Sequence, residues 1–281
     1  MIQDIGPHRL HNQYRTDRRP APSDPVFFFR GSELLARLGE GTFSLPRAEE
    51  AGDRDSLIYL FALDGTAFFL SPGESPEALS DRGYAYKDIR SLRREGYGPK
   101  EMYFAALTAL QLASWYRDNR FCGTCGHTTR LSDRERAIVC PACGRTIYPR
   151  IVPAVIVGVT DGDRLLMTRY AGRGIPFYAL IAGFTEIGET LEETVAREVM
   201  EEVGLKVRNI RYYKSQPWAI ADDILAGFYC DVDGDTTIRL DTSELKEGVW
   251  MKREEVVLQP DDFSLTNEMM LMFKEGREPR S

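Results

Sequence analysis

Alternating and helically spaced apolar residues predict a mixed strand and helix region near the N-terminus. Apolar residues dominate residues 56–63 and Thr66–Leu70, and the intervening Asp64-Gly65 is a typical hairpin turn. Further along, apolar residues recur on one helical face over residues 99–117, which predicts a helix. This region contains no motif that indicates chemistry, and we interpret residues 1–118 as an accessory domain.

A second pattern of strands and helices follows a short Cys-rich stretch at residues 119–149. Two apolar runs, residues 152–160 and Arg164–Tyr170, flank a polar turn and predict two paired strands. A Gly-rich turn at 183–188 precedes a helix predicted over 191–203. Further strands are predicted near 207–214, 224–232 and 249–252, and a last helix over 267–274. This order of elements predicts an α/β (α+β) layered domain over residues 150–281.

Composition and charge narrow the class of protein. The 281 residues are 43% hydrophobic and 28% charged, as in ordinary globular proteins. The longest apolar run, residues 151–159, is far shorter than the roughly 20 residues that cross a bilayer, so no membrane association is expected. Residues 1–20 are polar and charged and do not resemble a secretory signal, so we expect a cytoplasmic protein with reduced thiols. The net charge of −7 argues against a general nucleic-acid binder but allows small phosphorylated substrates.

Two C-x-x-C pairs predict a metal site in the Cys-rich stretch. The pairs are Cys122 with Cys125 and Cys140 with Cys143, and a Gly follows each pair. Two such knuckles bring four thiolates to one Zn²⁺, and a shell of four sulfurs leaves no open position, so the ion is structural. The alternatives are two disulfides or four unrelated buried thiols; a reducing compartment disfavours the former.

Three glutamates on the predicted 191–203 helix are candidates for a second metal site. Glu198, Glu201 and Glu202 stand at i, i+3 and i+4, so a helix places them on one face. Like charges at this spacing repel one another, and bound Mg²⁺ or Mn²⁺ would offset that repulsion. The alternative is a solvated acidic helix face in a chain that has 43 acidic residues.

The sequence around these glutamates resembles the Nudix box. Every specified position of that pattern is filled over 23 residues, by Gly183, Glu189, Arg197, Glu198, Val199, Glu201, Glu202, Gly204 and Leu205. The resemblance implies an α/β/α sandwich with a mixed sheet. It also implies a loop–helix–loop that binds divalent cations and hydrolyses a nucleoside diphosphate linked to another group.

The same resemblance assigns roles to the box residues. The implied Mg²⁺ or Mn²⁺ ligands are Glu198, Glu201 and Glu202. Glu189 and Arg197 would hold the loop on the helix as an ion pair, while Gly183 and Gly204 would supply turns. Cations that bridge a pyrophosphate offset its negative charge and lower the pKa of bound water. The proton acceptor is Glu201 or Glu202, and Glu244 is a further candidate for metal ligand or base, or else an exposed loop glutamate.

The order of motifs is similar to the NADH pyrophosphatase branch, in which a zinc ribbon precedes the Nudix domain. That branch has the marker Ser-Gln-Pro-Trp-Pro-Phe-Pro-x-Ser, and this chain has Ser-Gln-Pro-Trp at residues 215–218. The resemblance implies cleavage of NADH or NAD⁺ to nicotinamide mononucleotide and AMP, activity on NAD-capped RNA 5′ ends, and a homodimer. It also implies that Phe184 stacks on a base and that Gln216 touches the dinucleotide. For Phe184, a core aromatic is the alternative.

Two departures from the branch leave the exact substrate open. Residues 219–223 read Ala-Ile-Ala-Asp-Asp in place of Pro-Phe-Pro-x-Ser, and Thr266 replaces a small Ala where the ligand approaches. Arg169, Tyr170 and Arg173 are candidate phosphate contacts, with a solvated loop as the alternative. The competing hypotheses are a hydrolase of another nucleoside diphosphate such as ADP-ribose, and a non-catalytic ligand-sensing or nucleic-acid-binding protein.

Overall fold

A computed structural model describes residues 1–172 and 176–280. The chain forms two compact units, one comprising Asp4–Arg150 and the other Met1–Gln3 with Ile151–Ser281. The further division of the first unit into an accessory domain and a ribbon at residues 118/119 stays a prediction.

The Asp4–Arg150 unit is built from short strands, three α-helices and a short 3-10 helix (Ala48–Glu50). Its strands are β1 (Leu10–His11), β2 (Val26–Phe27), β3 (Phe29–Arg30), β4 (Glu33–Gly39), β5 (Thr42–Ser44), β6 (Ile58–Leu63), β7 (Thr66–Leu70), β8 (Ala85–Asp88), β9 (Arg130–Leu131), β10 (Ile138–Val139) and β11 (Thr146–Ile147). Its helices are α1 (Ala78–Asp81), α2 (Ile89–Arg94) and α3 (Lys100–Asp118). The strands form sheets in the orders β1-β6-β7-β2, β3-β4-β5 with β8 beside β4, and β11-β10-β9.

The predicted hairpin and helix of this unit are confirmed. Strands β6 and β7 are antiparallel, and both turn residues have left-handed backbones, with φ of 48° at Asp64 and 87° at Gly65. Two such residues form the hairpin turn whose twist matches that of paired strands. Helix α3 covers the predicted 99–117 segment to within one residue at each end.

The Ile151–Ser281 unit contains one sheet, two α-helices and a short 3-10 helix (Arg253–Glu255) among the described residues. Its elements are β12 (Val152–Asp161), β13 (Arg164–Tyr170), β14 (Ile181–Phe184), α4 (Leu191–Val203), β15 (Val207–Trp218), β16 (Asp223–Val232), β17 (Leu245–Lys252) and α5 (Leu265–Lys274). The sheet order is β15-β16-β12-β13-β17, and β14 pairs with β12. Because β12 is parallel to β16 and antiparallel to β13 and β14, the sheet is mixed, as predicted.

The two helices cover opposite faces of this sheet. One face packs valines of β12 against valines of α4: Val155, Val157, Val159, Val195, Val199 and Val203. The other face packs Ile156 of β12 and Tyr229 of β16 against α5, through Leu265, Met269 and Phe273. Successive strand residues point to opposite faces, so β12 supplies both cores. The α/β/α sandwich is therefore confirmed.

Local capping signals delimit α4. The hydroxyl of Thr190 accepts a hydrogen bond from the Glu193 amide, and the Glu193 carboxylate accepts one from the Thr190 amide. This reciprocal capping box satisfies two backbone donors at the start of the helix. At the other end Gly204 has a φ of 67°, so its predicted role as a turn residue is confirmed.

No helix within residues 1–172 and 176–280 combines the length and the apolar character that spanning a membrane requires.

Candidate functional site

The carboxyl group of Glu198 lies directly above the backbone of Gly183. A Cβ at position 183 would lie 1.9 Å from Cδ and 2.1 Å from Oε1 of Glu198. Gly183 itself lies in strand β14, opposite Val155 of β12. The expectation that Gly183 supplies a turn is therefore wrong. It is glycine because any side chain would occupy the place of the Glu198 carboxyl group.

The Gly183→Ala variant is expected to lose most activity while keeping its fold. The added methyl group must displace the Glu198 carboxyl, and a shift of about 1 Å at a reacting site can cost about a hundredfold in rate. The measurement is the kcat of dinucleotide hydrolysis, with the melting temperature as a check on folding. Gly73→Ala is a matched control, because only the Ser71 hydroxyl lies near its Cβ, at 3.9 Å. An unchanged kcat in Gly183→Ala would show that this close approach is not needed.

The guanidinium of Arg197 ties the box loop to the helix. Its Nε and Nη2 donate to the two carboxylate oxygens of Glu189, at 2.6 and 3.0 Å. This confirms the expected Glu189–Arg197 ion pair. Nη2 also donates to the Phe184 carbonyl oxygen at 2.9 Å. The hydrogen bond from Arg197 is the main reason that the pKa of Glu189 falls to about 2. Glu189 is thus a carboxylate at any pH at which the protein would work.

The same guanidinium reaches two of the expected metal ligands. Nη1 of Arg197 donates to Glu198 Oε1 at 2.7 Å and to Glu201 Oε2 at 2.9 Å. The three helix glutamates differ in environment, because the side chains of Glu198 and Glu201 are 12% and 59% exposed and Glu202 is 2% exposed. Burial is the main cause that raises the pKa of Glu198.

Glu244 lies close enough to this group to affect it. Its negative charge, with that of Glu201, adds to the rise in the pKa of Glu198. Its backbone carbonyl oxygen accepts a hydrogen bond from the Ala171 amide at 2.8 Å, next to the start of β17. Several carboxylates that repel one another in a partly buried place are a donor set that suits a hard divalent cation. The carboxylates do not gather within 4.8 Å of one another; in the described part of the chain only the four cysteines do.

Phe184 follows Gly183 at the end of β14 and is 51% exposed. The structure therefore does not support the core-aromatic alternative, and the ring face is available to a planar group. Among the arginines before the box, Arg169 stacks on the Tyr178 ring at 4.0 Å and pairs with Glu247 at 3.4 Å. Arg173 lies outside the described residues.

Gln216 has a structural role, and its predicted contact with the dinucleotide stays a prediction. It is fully buried. Its Nε2 donates to the Phe263 carbonyl oxygen at 2.8 Å and to Gln3 Oε1 at 3.1 Å. Its Oε1 accepts from the Leu265 amide at 2.7 Å. The amide group therefore fixes the first residue of α5, and its hydrogen-bonding capacity is used within the protein.

The Gln216→Leu variant is expected to lower the free energy of unfolding by about 1–3 kcal/mol, because the buried Leu265 amide loses its acceptor. Urea unfolding measures the change. Gln3→Ala is the comparison, since it removes the Gln3 partner of Gln216 and the bond from Gln3 to the Ser215 carbonyl oxygen but leaves the bond to Leu265. A loss below ~0.5 kcal/mol in Gln216→Leu, the range of ordinary surface substitutions, would contradict this role.

The chain departs from the family marker in a tight turn. Residues 219–222 join β15 to β16, and Asp222 has a left-handed φ of 57°. The next residue, Asp223, is 6% exposed, and burial raises its pKa to about 6. Thr266, the other departure, is the second residue of α5 and is partly buried. No local pattern around Asp223 indicates that its side chain is buried.

The four cysteines of the two knuckles fit a single tetrahedral ion. Their sulfur atoms all lie within 4.8 Å of one another, with Cys122 to Cys143 at 3.6 Å and Cys125 to Cys140 at 3.5 Å. Bonds of ~2.3 Å from sulfur to Zn²⁺ place the sulfurs of a tetrahedron about 3.8 Å apart. All are free thiols, so the disulfide alternative is not supported.

Backbone amides stabilise the thiolate form of two of these cysteines, which favours cation binding. The Thr124 amide points at the sulfur of Cys122 from 3.4 Å, and this contact is the main reason that the pKa of Cys122 falls to about 6. The Cys143 amide likewise lowers the pKa of Cys140. Thiolates are the form of cysteine that binds metals. The fifth cysteine, Cys230, is buried in the core under α4.

Comparisons with known proteins agree with this geometry. The NUDIX domain profile matches residues 149–271, the NADH pyrophosphatase zinc ribbon domain matches residues 117–148, and the NADH pyrophosphatase-like rudimentary NUDIX domain matches residues 23–115. The NAD-capped RNA hydrolase NudC of Enterobacter sp. (strain 638) is 39% identical over 175 residues, which are 62% of this chain and 67% of that protein. That of Erwinia tasmaniensis is 38% identical over 179 residues, 64% of this chain and 68% of that protein.

Among solved structures, a NUDIX hydrolase from Nitrosomonas europaea is similar over 56% of this chain and 92% of its own length, with 21% identity and a TM-score of 0.49. The sandwich and the box helix define a Nudix diphosphohydrolase. The chain belongs to the NADH pyrophosphatase branch of the Nudix hydrolase family, in which a zinc ribbon accompanies the catalytic domain.

Proposed function

We propose that this enzyme hydrolyses the pyrophosphate bond of NADH or NAD⁺ to nicotinamide mononucleotide and AMP with Mg²⁺ or Mn²⁺, and that it also acts on NAD-capped RNA 5′ ends. The observation that carries the proposal is the close approach of the Glu198 carboxyl group to Gly183 in β14, the strand whose last residue is the exposed Phe184. These two successive residues point to opposite faces of β14, so a base stacked on Phe184 would lie at the end of the strand that carries the carboxylate on its helix-facing side. The names of the relatives and of the matching profiles support the choice of substrate.

The proposed roles follow from exposure and charge. Glu198, Glu201 and Glu202, with Glu244 beside them, would hold the divalent cations. Bound cations would offset the negative charge of the pyrophosphate and lower the pKa of the attacking water. Arg197 bonds to Glu189 of the loop and to Glu198 and Glu201 of the helix, so it holds the loop and the helix carboxylates together. Glu201 and Glu202 are both candidates for the proton acceptor. Solvent reaches Glu201 directly, because its side chain is 59% exposed.

The turn at residues 219–222 favours a second candidate substrate. It replaces the Pro-Phe-Pro of the family marker and is followed by a buried carboxylate, Asp223. Another nucleoside diphosphate such as ADP-ribose would use the same cations and the same helix.

A product assay separates these candidates. We expect AMP release from NADH, with Mg²⁺ or Mn²⁺ and not with EDTA, to exceed release from ADP-ribose and diadenosine polyphosphates by at least about tenfold in kcat/KM, the scale of one lost contact. NAD⁺ and NAD-capped RNA are assayed in the same way as the fourth and fifth substrates. Faster cleavage of ADP-ribose than of NADH would move the enzyme to the second candidate. The proposal would be contradicted if none of these substrates were hydrolysed in a metal-dependent way.

We also propose that the enzyme is a cytoplasmic homodimer, because the resemblance to the NADH pyrophosphatase branch implies one. Light scattering after size exclusion should give twice the mass of one chain, and the mass of a single chain would contradict the dimer.

A further inference from the structure

Residues Met1–Gln3, which we call the strap, fold into the same compact unit as Ile151–Ser281, although the whole Asp4–Arg150 unit lies between them in the chain. Met1 is 7% exposed and Ile2 is 1% exposed. Met1 belongs to the apolar core under α5 that also contains Leu265 and Met269. Removing apolar side chains from water stabilises the folded position of the segment that carries them. The strap is therefore a structural part of the unit that contains the Nudix box.

The side-chain amide of Gln3 holds the Ser215-Gln216 part of the marker segment in β15. Its Nε2 donates a hydrogen bond to the Ser215 carbonyl oxygen at 3.1 Å, and its Oε1 accepts one from Gln216 Nε2 at 3.1 Å. In the described part of the chain β15 is an outer strand of the sheet, so another segment can reach its backbone groups. One side chain of the strap thus contacts two successive residues of the marker.

The backbone of the strap reaches the start of α5. The Ile2 amide donates to the Phe263 carbonyl oxygen at 2.9 Å, and the same oxygen accepts from Gln216 Nε2 at 2.8 Å. Gln216 in turn accepts from the amide of Leu265, the first residue of α5. The strap, the marker segment and the start of α5 are therefore joined by one continuous hydrogen-bond network. Bonds in such a network reinforce one another, so the loss of one loosens the rest.

The two segments that the strap joins are those for which the sequence predicts ligand contacts, namely Gln216 in the marker and Thr266 in the first turn of α5. We propose that Gln3 is a positioning residue, which acts through Gln216 to hold the marker segment and the start of α5 in place for the bound dinucleotide. The inference rests on the proposed function and concerns how its ligand is held. Contacts that are already in place bind more tightly, because binding then costs less conformational entropy.

The Gln3→Ala variant should raise the KM for NADH about tenfold, because it loses two hydrogen bonds to uncharged groups. Its kcat should stay within about twofold of the wild type, since lost binding that is equal in ground and transition states leaves kcat unchanged. Calorimetric binding in EDTA, where no turnover occurs, should show the same rise in Kd. Gln3→Met keeps the length of the side chain without its amide, so an equal rise in this variant assigns the effect to the hydrogen bonds.

The matched control is Gln13→Ala, which removes the same side chain from an exposed position. It should leave KM and Kd within about twofold, as surface substitutions ordinarily do. A double variant tests whether Gln3 acts through Gln216: in a Gln216→Leu background, Gln3→Ala should raise KM by no more than about twofold further. Amide hydrogen exchange adds a readout without ligand, because Gln3→Ala should speed exchange at Leu265 and leave α4 unchanged.

Wild-type KM and Kd in both Gln3 variants would overturn the inference, even with a lowered melting temperature, because the strap would then only stabilise the fold. An equal rise in Gln13→Ala, or the full Gln3→Ala effect in the Gln216→Leu background, would also overturn it. The proposed function can fail separately. If the wild type binds NADH without hydrolysing it and the Gln3 variants bind it more weakly, the inference stands alone. If the wild type neither binds nor hydrolyses NADH, both are rejected.

Discussion

The Glu201→Gln and Glu202→Gln variants are expected to hydrolyse NADH at least about a hundredfold more slowly than the wild-type enzyme. Glutamine keeps the size of each side chain but removes the negative charge that would hold a divalent cation. Cation catalysis contributes several kcal/mol of stabilisation to a transition state of this kind, and each 1.36 kcal/mol is worth about a factor of ten in rate. The measurement is the initial rate of AMP release, with Mg²⁺ and with Mn²⁺ over a range of concentrations.

A control on the same helix separates lost chemistry from lost folding. Glu192 is exposed in the first turn of α4, and it is not one of the specified box positions. Glu192→Gln should keep full activity, because it removes the same charge from the same helix away from the proposed cations. Glu202 is 2% exposed, so circular dichroism and the melting temperature must confirm that its variant is folded. Full activity in both box variants would remove the helix from the mechanism.

Helix α4 could be predicted to the residue because its signals are local. Thr190 and Glu193 form the capping box at one end, and Gly204 ends the helix with a left-handed backbone. The apolar positions between them repeat at helical spacing. These features depend on residues that are neighbours in the sequence, so a reading of the sequence alone finds them.

Strand β14 and its contact with the helix could not be predicted in this way. Residues 181–184 are few, and Gly183 in a Gly-rich segment indicates a turn. What makes the segment a strand is its pairing with β12, more than 20 residues earlier in the chain. What makes residue 183 a glycine is the carboxyl group of Glu198. Both causes are tertiary contacts.

The hydrogen bonds of Gln216 show the same limit. They join it to Gln3, Phe263 and Leu265, none of them near it in sequence, so the marker alone could not predict this structural role. The burial of Asp223 is likewise a property of the folded sheet. The zinc site was predictable because each knuckle brings two ligands together within four residues.

Removal of zinc is expected to unfold the ribbon at residues 119–149. Its three strands, β9, β10 and β11, have two residues each. Only five of its residues are buried, and two of them are ligands: Cys122, Ser132, Ala137, Ile138 and Cys140. So little apolar surface cannot hold a fold without a cross-link or an ion. Structural Zn²⁺ contributes about 10–16 kcal/mol in zinc-finger peptides, which exceeds the stability of most domains.

The Cys140→Ser variant tests this expectation, because it removes a fully buried ligand with the loss of a single sulfur. The wild-type chain should bind one zinc ion, and the variant should lose it and show fast amide hydrogen exchange over residues 119–149. Cys230→Ala is the matched control, since it removes the cysteine that lies outside the knuckles and should leave zinc binding intact. Equal zinc content in Cys140→Ser and wild type would contradict a four-cysteine site. If the ion is structural, amide hydrogen exchange in α4 should stay slow when the ribbon unfolds. Helix α4 is stabilised by the valine core beneath it and not by the zinc site.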